Sequence, residues 1–437
     1  MRVVLKSSVV DGVVKAPPSK SQTHRFYIAA LLSEGLSIVE KPSTCLDTEA
    51  TLRAIKLMGC KVHRKGSEVK LLGRGAPEPP EDVIHCGGSG TTIRILTAVS
   101  ALAPGLTVLT GDKSLRRRPM SPLLDALRQL GIRCYSARGG RPPVVVLGGS
   151  LKPGLVKIRG DISSQYVSGL LFALAKVDGE SIIQLTTSLV SKPYVDMTLN
   201  TLRMCGVNIY ASEDRRVFEI NGSYEFKPFK AVVEGDYSSA SVLMVAAAVT
   251  GGRVKVEGLK KDSLQPDRRI LNVLEEIGCH VRVEDKYVEV NGSMGIYEAF
   301  EIDVSDSPDL APILTVLASS CRGVSKITGV SRLRFKESDR IEALTSQLSK
   351  MGLKIRTCED CIIVKGPSKL KGAIIDPSND HRIAMACAVA ALKAQGETVI
   401  RNASCVNKSY PDFYEDLKNL GVDVKAITRS REARLTL

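Results

Sequence analysis

The sequence predicts an α/β protein, in the α+β arrangement, made of two domains that each hold three repeated βαβαββ units. Three observations carry that expectation. A strand, a polar corner and a helix recur six times, anchored on Ser21, Gly90, Ser164, Ser239, Asp309 and Asp380, which stand 69 to 75 residues apart. Each unit also has a later helix that stops at a glycine (Gly59, Gly131, Gly206, Gly278, Gly352 and Gly421), again at intervals of 69 to 75 residues. Four positions before each glycine stands Ile55, Leu127, Leu202, Leu274, Leu348 or Leu417. A left-handed cap with an apolar residue one turn back explains both features, and two independent anchors with one period define a repeat architecture. Finally, 437 residues exceed what one hydrophobic core usually serves, so six units divide into two domains of three.

Taken in order, Met1 to Val14 holds two short β-like runs that precede the first full unit. That unit's corner is Ser19-Lys20-Ser21-Gln22-Thr23-His24-Arg25, after Pro17-Pro18, and it opens into an apolar helix from Phe26 to Leu32. The other corners lie at 84–91, 158–165, 232–239, 304–309 and 374–382. Hydroxyls, amides and cations gather there where the first N–H groups of a helix lack internal partners, which suits an anion. The fourth unit shows the whole order: a strand at Ala231-Val232-Val233, the Ser239 helix, a strand at Val254-Lys255-Val256, a helix from Pro266 to Ile277, and a hairpin from His280 to Val290 turning at Glu284-Asp285-Lys286. The sixth runs out after Gly421-Val422-Asp423-Val424, so the chain's first strand is expected to complete it. The expected domains are 15–228, and 1–14 plus 229–437. Lys15 to Pro18 and Tyr224 to Lys230 would be two crossings of one hinge.

Composition narrows the function. Hydrophobic residues make up 43% and charged residues 25%, as in ordinary globular proteins. No signal or transit segment is read at the start and no apolar run approaches the ~20 residues of a membrane helix, so a cytoplasmic protein without membrane contact is expected. Eleven scattered cysteines argue against a disulfide framework and for a reducing compartment, and Cys358-Glu359-Asp360-Cys361 reads as a hairpin rather than a zinc site. A formal charge of +14 suggests nucleic acid at first sight, but aromatic content is 4% with no tryptophan, and the cations gather at the corners instead. That distribution points to a concave site for a small, multiply charged anion. No unit carries the glycine-rich motifs of nucleotide sites.

The corner residues carry a resemblance. Ser19-Lys20-Ser21 with Arg25, Gly90-Thr91 with Arg94, Arg118-Pro119, Ser163-Ser164-Gln165, Ser191-Lys192-Pro193-Tyr194, Pro308-Asp309, Lys336-Glu337-Ser338-Asp339-Arg340, Asn379-Asp380-His381-Arg382 and Lys408 before Pro411 resemble, in order, the motifs of the EPSP synthases. The resemblance implies an enolpyruvyl transferase-like inside-out barrel, two domains closing over the substrates, and no metal or organic cofactor. It implies transfer of the enolpyruvyl group of phosphoenolpyruvate to the 5-hydroxyl of shikimate 3-phosphate by addition and elimination, and a monomer is expected. By resemblance, Lys20, Gly90, Arg118, Gln165, Arg340, Arg382 and Lys408 line the phosphoenolpyruvate site. Ser21, Arg25, Ser163, Ser164, Gln165, Ser191, Tyr194, Asp309 and Lys336 hold shikimate 3-phosphate. Two proton carriers are needed: Asp309 is assigned as base toward the 5-hydroxyl and Glu337 as the shuttle at carbon 3, with Lys20 and the arginines stabilising the departing phosphate and Lys20 or Lys408 as alternative carriers of one proton.

Each residue also has a plainer local reading. Arg25 or Arg94 alone could be a snorkelling cation, Ser163-Ser164 only an N-cap, and Lys336 to Arg340 an exposed helix start with an i,i+3 ion pair. Departures from the family pattern are Gly88, which offers no side-chain amide, Arg332 in place of an asparagine, and Arg116 and Arg117 beside Arg118. The nearest rival is the related transferase acting on UDP-N-acetylglucosamine, but its loop cysteine is missing from Gly111 to Arg118 and its Lys-Asn is replaced by Lys20-Ser21. A basic RNA-binding or RNA 3′-phosphate cyclase protein is a rival of another class, and it would leave the paired hydroxyls without a role.

Overall fold

Hydroxyls and carboxylates at the polar corners cap helices, as short polar side chains do at an N-terminus. Ser19 accepts from the Gln22 amide at 3.4 Å to start Lys20–Leu32, and Ser89 from Thr92 at 3.2 Å to start Gly90–Val99. Ser163 accepts from Gln165 at 3.3 Å before Ser164–Leu174, and Asp380 from Arg382 at 2.9 Å before His381–Leu392. The other two corners lead to Tyr237–Thr250 and, through a 3-10 turn Pro308–Leu310, to Ala311–Ala318. These helices are apolar around most of their circumference, so they lie in the cores rather than on a surface.

The computed structural model describes residues 1–292 and 297–427. All six glycine stops are left-handed, with φ between 82° and 95°. At each, the amide after the glycine bonds the carbonyl of the apolar residue four before it: Cys60 to Ile55, Ile132 to Leu127, Val207 to Leu202, Cys279 to Leu274, Leu353 to Leu348 and Val422 to Leu417. This Schellman closure is why sequence showed the two features at one spacing.

Six sheets follow the six units. In the second, Ile84–His85 runs parallel to Leu106–Thr110, which pairs antiparallel with Arg141–Leu147, and that strand with Arg133–Ala137. The first and fourth units exchange their opening strand. Lys230–Val232 pairs in parallel with Glu34–Glu40, while Asp11–Lys15 pairs in parallel with Arg253–Glu257. In the sixth sheet Arg2–Leu5 lies between Thr398–Ile400 and Val424–Ile427, where the chain's first strand was expected.

The chain divides into two compact units, each with its own core: Met1–Pro17, Tyr237–Ser263 and Asp267–Leu437 in one, Pro18–Asp236 and Leu264–Pro266 in the other. The crossings thus fall at 17/18, within the expected segment 15–18 though past the expected domain bound, and at 236/237, beyond the expected segment 224–230. The strand exchange is the reason, since Ala231-Val232-Val233, read as the fourth unit's own strand, completes the first sheet instead. Near both crossings the chain is tied within the second of these units: Ser19 donates to the Glu234 carbonyl at 2.7 Å and the Lys20 amide to Asp236 at 3.0 Å. The excursion at Leu264–Pro266 was not foreseen; Gln265 there donates to Glu234 and to the Gly235 carbonyl.

Cys358 and Cys361 do close a hairpin, between Lys354–Thr357 and Cys361–Gly366, and there a correction is needed: their sulfurs are bonded. The turn brings the Cα atoms to 5.0 Å, within disulfide reach. It is one local bridge, and the other nine cysteines are buried thiols. No described helix is long and apolar enough to cross a membrane.

Candidate active site

The expected site residues form two clusters, one per unit. In the unit built around Pro18–Asp236, the first helix presents Lys20, whose ammonium lies 3.3 Å from the Asp47 carboxylate. One turn on, Arg25 is fully buried and held by neutral oxygens: Thr198 Oγ1 at 2.9 Å, the Ser21 carbonyl at 2.7 Å and the Tyr194 carbonyl at 2.7 Å. Burial pushes its guanidinium down to about 10, with Tyr194 opposing. Ser191 precedes Tyr194 at φ 56°, a strained backbone for a residue with a Cβ.

In the same cluster, Arg94 donates to Ser163 Oγ at 3.3 Å and to Gln165 Oε1 at 2.9 Å, and Gln165 Nε2 donates to Thr91 at 2.8 Å. The corners of the second and third repeats are thereby locked together. Gly90 begins its helix under Arg118, and a Cβ there would lie 2.8 Å from Arg118 Nη1. Arg118 is buried, whereas Arg116 and Arg117 are exposed. Ser164 is buried at the head of its helix.

In the other unit an ion network forms. Arg340, 1% exposed, donates to Asp380 at 2.9 Å, to Asp309 at 2.8 Å and to Glu337 at 2.7 Å. Burial alone would lower its pKa, but the Asp380, Glu337 and Asp309 carboxylates drive it up. Arg382 reaches Asp309 at 3.3 Å and the Ser238 carbonyl at 2.9 Å, Lys336 lies 3.8 Å from Asp309, and Lys408 3.5 Å from Glu337. Loss of water pushes Lys336 down to about 8; Asp309 pulls it up, while Arg340 and Arg332 push it further down. Lys336 to Arg340 is indeed a helix start, since Asp339 caps Arg340–Lys350, but Arg340 points inward and the i,i+3 pair is buried rather than exposed.

Several residues of the clusters were outside the expected site list, Thr91, Thr198, Asp47, Arg94 and Asp380 among them. Asp47 holds Lys20, Arg94 spans two repeats, and Asp380 anchors Arg340 while capping the helix that carries Arg382. Arg94 and Asp380 stand inside motifs already singled out, but Asp47 gave no local signal. Among the described residues no group of three His, Cys, Asp or Glu side chains is placed to hold a metal ion.

Comparison with known proteins agrees over the whole chain. The family described as EPSP synthase (3-phosphoshikimate 1-carboxyvinyltransferase) matches residues 4–417. Proteins named 3-phosphoshikimate 1-carboxyvinyltransferase are 39% identical in Methanococcus maripaludis, over 98% of this chain and 100% of the relative, and 41% identical in Methanocorpusculum labreanum, over 97% and 100%. The solved EPSP synthase of Acinetobacter baumannii superimposes with a TM-score of 0.81 at 28% identity, covering 97% of this chain and 100% of that one. An enolpyruvyl transferase of Streptomyces tendae shares the fold, with a TM-score of 0.80 at 18% identity over 98% of this chain and 99% of its own.

Proposed function

The chain belongs to the EPSP synthase family, and from that premise we propose how its two clusters divide the work. The reaction transfers the enolpyruvyl group of phosphoenolpyruvate to the 5-hydroxyl of shikimate 3-phosphate and releases phosphate, on the route to chorismate and the aromatic amino acids. In the addition, the hydroxyl oxygen attacks carbon 2 of phosphoenolpyruvate while carbon 3 gains a proton. In the elimination, the bond from carbon 2 to the phosphate oxygen breaks and carbon 3 gives that proton back.

Asp309 takes the hydroxyl proton and Glu337 serves carbon 3. The observation that carries this assignment is the single Arg340 fork, with Asp309 at 2.8 Å on one nitrogen and Glu337 at 2.7 Å on another. A planar guanidinium with its third donor fixed on buried Asp380 holds two carboxylates in a set relation, as opposite proton tasks require. Arg340, Arg382 and Lys408 then exchange these carboxylates in part for phosphoenolpyruvate oxygens. Lys20, Gly90, Arg118 and Gln165 serve the same substrate. Ser21, Arg25, Ser163, Ser164, Gln165, Ser191 and Tyr194 take shikimate 3-phosphate, with Asp309 and Lys336 meeting its hydroxyls.

In this reading the enzyme works as a cytoplasmic monomer without metal or organic cofactor. Phosphate release from phosphoenolpyruvate, with shikimate 3-phosphate or with UDP-N-acetylglucosamine as acceptor, is the test. Turnover with shikimate 3-phosphate alone is expected, and turnover only with the sugar nucleotide would end the proposal.

A further inference from the structure

His24 has no part in the reaction as described, yet it starts a buried chain of short hydrogen bonds. Its Nδ1 lies 2.7 Å from Thr51 Oγ1, Thr51 Oγ1 lies 2.6 Å from Thr92 Oγ1, and Thr92 donates to Ser89 Oγ at 2.7 Å. All four residues have no exposed surface. Each hydroxyl has one proton to give. Since the Thr92 proton goes to Ser89 or to the Asp47 carbonyl at 3.4 Å, and in either case not to Thr51, Thr51 must donate to Thr92 and can then only accept from His24. The imidazole is therefore the Nδ1–H tautomer, with Nε2 unprotonated and, among the described residues, without a hydrogen-bond partner. Burial, with the charges of Lys20 and Arg25, lowers its pKa well below the usual value and keeps the ring neutral.

The chain ends at a functional place. Ser89 caps the helix that begins at Gly90 and takes up the Thr92 amide. Among the described residues, the amides of Gly90 and Thr91 make no other bond and are the helix's open donors. We propose that His24 is a positioning residue: as a neutral Nδ1–H donor it polarises the Thr51–Thr92–Ser89 chain and fixes the orientation in which the Gly90 helix offers its amides to phosphoenolpyruvate. This rests on the assignment of the Gly90 corner to that substrate. The chain also joins the first repeat's two helices, Lys20–Leu32 and Leu46–Leu57, to the second repeat's corner, so aim is set by contacts between repeats rather than by the cap alone.

Two pairs of variants test it. Thr51→Val keeps shape but breaks the chain, whereas Thr51→Ser keeps the hydroxyl; His24→Leu removes the donor, whereas His24→Asn restores an N–H near Nδ1. Steady-state kinetics should show the phosphoenolpyruvate KM raised about two- to tenfold in Thr51→Val and His24→Leu, the worth of one buried hydrogen bond. In both, kcat should stay within about twofold, since no group touching the reacting atoms is changed. Thr51→Ser and His24→Asn should return the KM to the wild-type value. A rise confined to the shikimate 3-phosphate KM would overturn the assignment of this corner and leave the chain standing. No rise in either KM for Thr51→Val, or a His24→Asn enzyme as impaired as His24→Leu, overturns the proposal.

Discussion

Arg25 and Arg340 are both fully buried arginines in site clusters, and their surroundings are opposite. Arg25 donates to a hydroxyl and two backbone carbonyls and lies over the Tyr194 ring, and burial lowers its pKa to about 10. Arg340 is bound by three carboxylates, and they raise it. Neutral acceptors hold a guanidinium in place without cancelling its charge, which suits the role proposed for Arg25 toward an anion. The Arg340 cluster is an ion network in which carboxylates occupy positions an anionic substrate would seek. In the proposed assignment, substrate contacts are weighted to one unit and proton handling falls to the other.

The largest effects should fall in the carboxylate-rich unit. Asp309→Asn and Glu337→Gln should each lower kcat by about 10²–10⁴, the usual worth of general acid–base catalysis. Exchange of solvent deuterium into the methylene of phosphoenolpyruvate, followed by mass spectrometry in the reversible reaction, separates them. Glu337→Gln should lose exchange at least as severely as turnover, whereas Asp309→Asn should also weaken shikimate 3-phosphate binding. Normal exchange in Glu337→Gln would mean carbon 3 has been given to the wrong residue.

Stability sharpens the same contrast. Arg340→Met strands three carboxylates and should cost about 3–5 kcal/mol, as removal of one partner from a buried ion pair does. Arg25→Met strands only neutral acceptors, at about 1–3 kcal/mol. Urea denaturation of the two variants decides, and a greater loss in Arg25→Met would erase the distinction.

Gly90→Ala should act more gently, through space alone. The added methyl meets Arg118 Nη1 at 2.8 Å, and that group ends a long side chain able to shift. The phosphoenolpyruvate KM should rise by a few-fold; the bulkier glyphosate, which the family resemblance implies as an inhibitor at this site, should be excluded more, with a larger rise in its inhibition constant. Equal sensitivity in both proteins would reduce Gly90 to a turn residue.

Much of this was legible in the sequence because repeats and caps are local. The six glycines and their partners were visible since one backbone motif needs both, at one spacing. The corner motifs singled out Arg25, Arg118, Arg340 and Arg382 as ligands of anionic substrates, and all four are buried, unlike the snorkelling cation that Arg25 alone suggested. What was not legible depends on distant pairing. Nothing in Lys230–Val232 or Asp11–Lys15 tells which sheet each joins, since a short apolar run fits either edge equally. Asp47 looks like any acidic residue in a helix's first turn until Lys20 is placed beside it. The cations read at the corners also have carboxylate partners that sequence did not show: Asp47 on Lys20 in one cluster, and Asp309, Glu337 and Asp380 on Arg340 in the other.

The smallest effect is a pH limb that belongs to the ion network alone. Lys336 is pushed down to about 8, so its charge is lost just above neutrality, whereas Arg25 at about 10 keeps its charge there. If the ammonium meets shikimate 3-phosphate, kcat/KM for that substrate should fall as pH rises through about 8. Stability should move the other way: between about 8 and the ordinary lysine value near 10.4 the unfolded chain binds more protons than the folded one, so this group's contribution to stability rises with pH. Lys336→Arg keeps its charge across the range, so it should abolish the limb even if it raises KM. Asp309→Asn removes the carboxylate that pulls Lys336 up, so the residual activity should show the limb at lower pH. A limb near 8 that survives in Lys336→Arg would place the titrating group elsewhere, and the contrast between the two clusters would lose its pH signature.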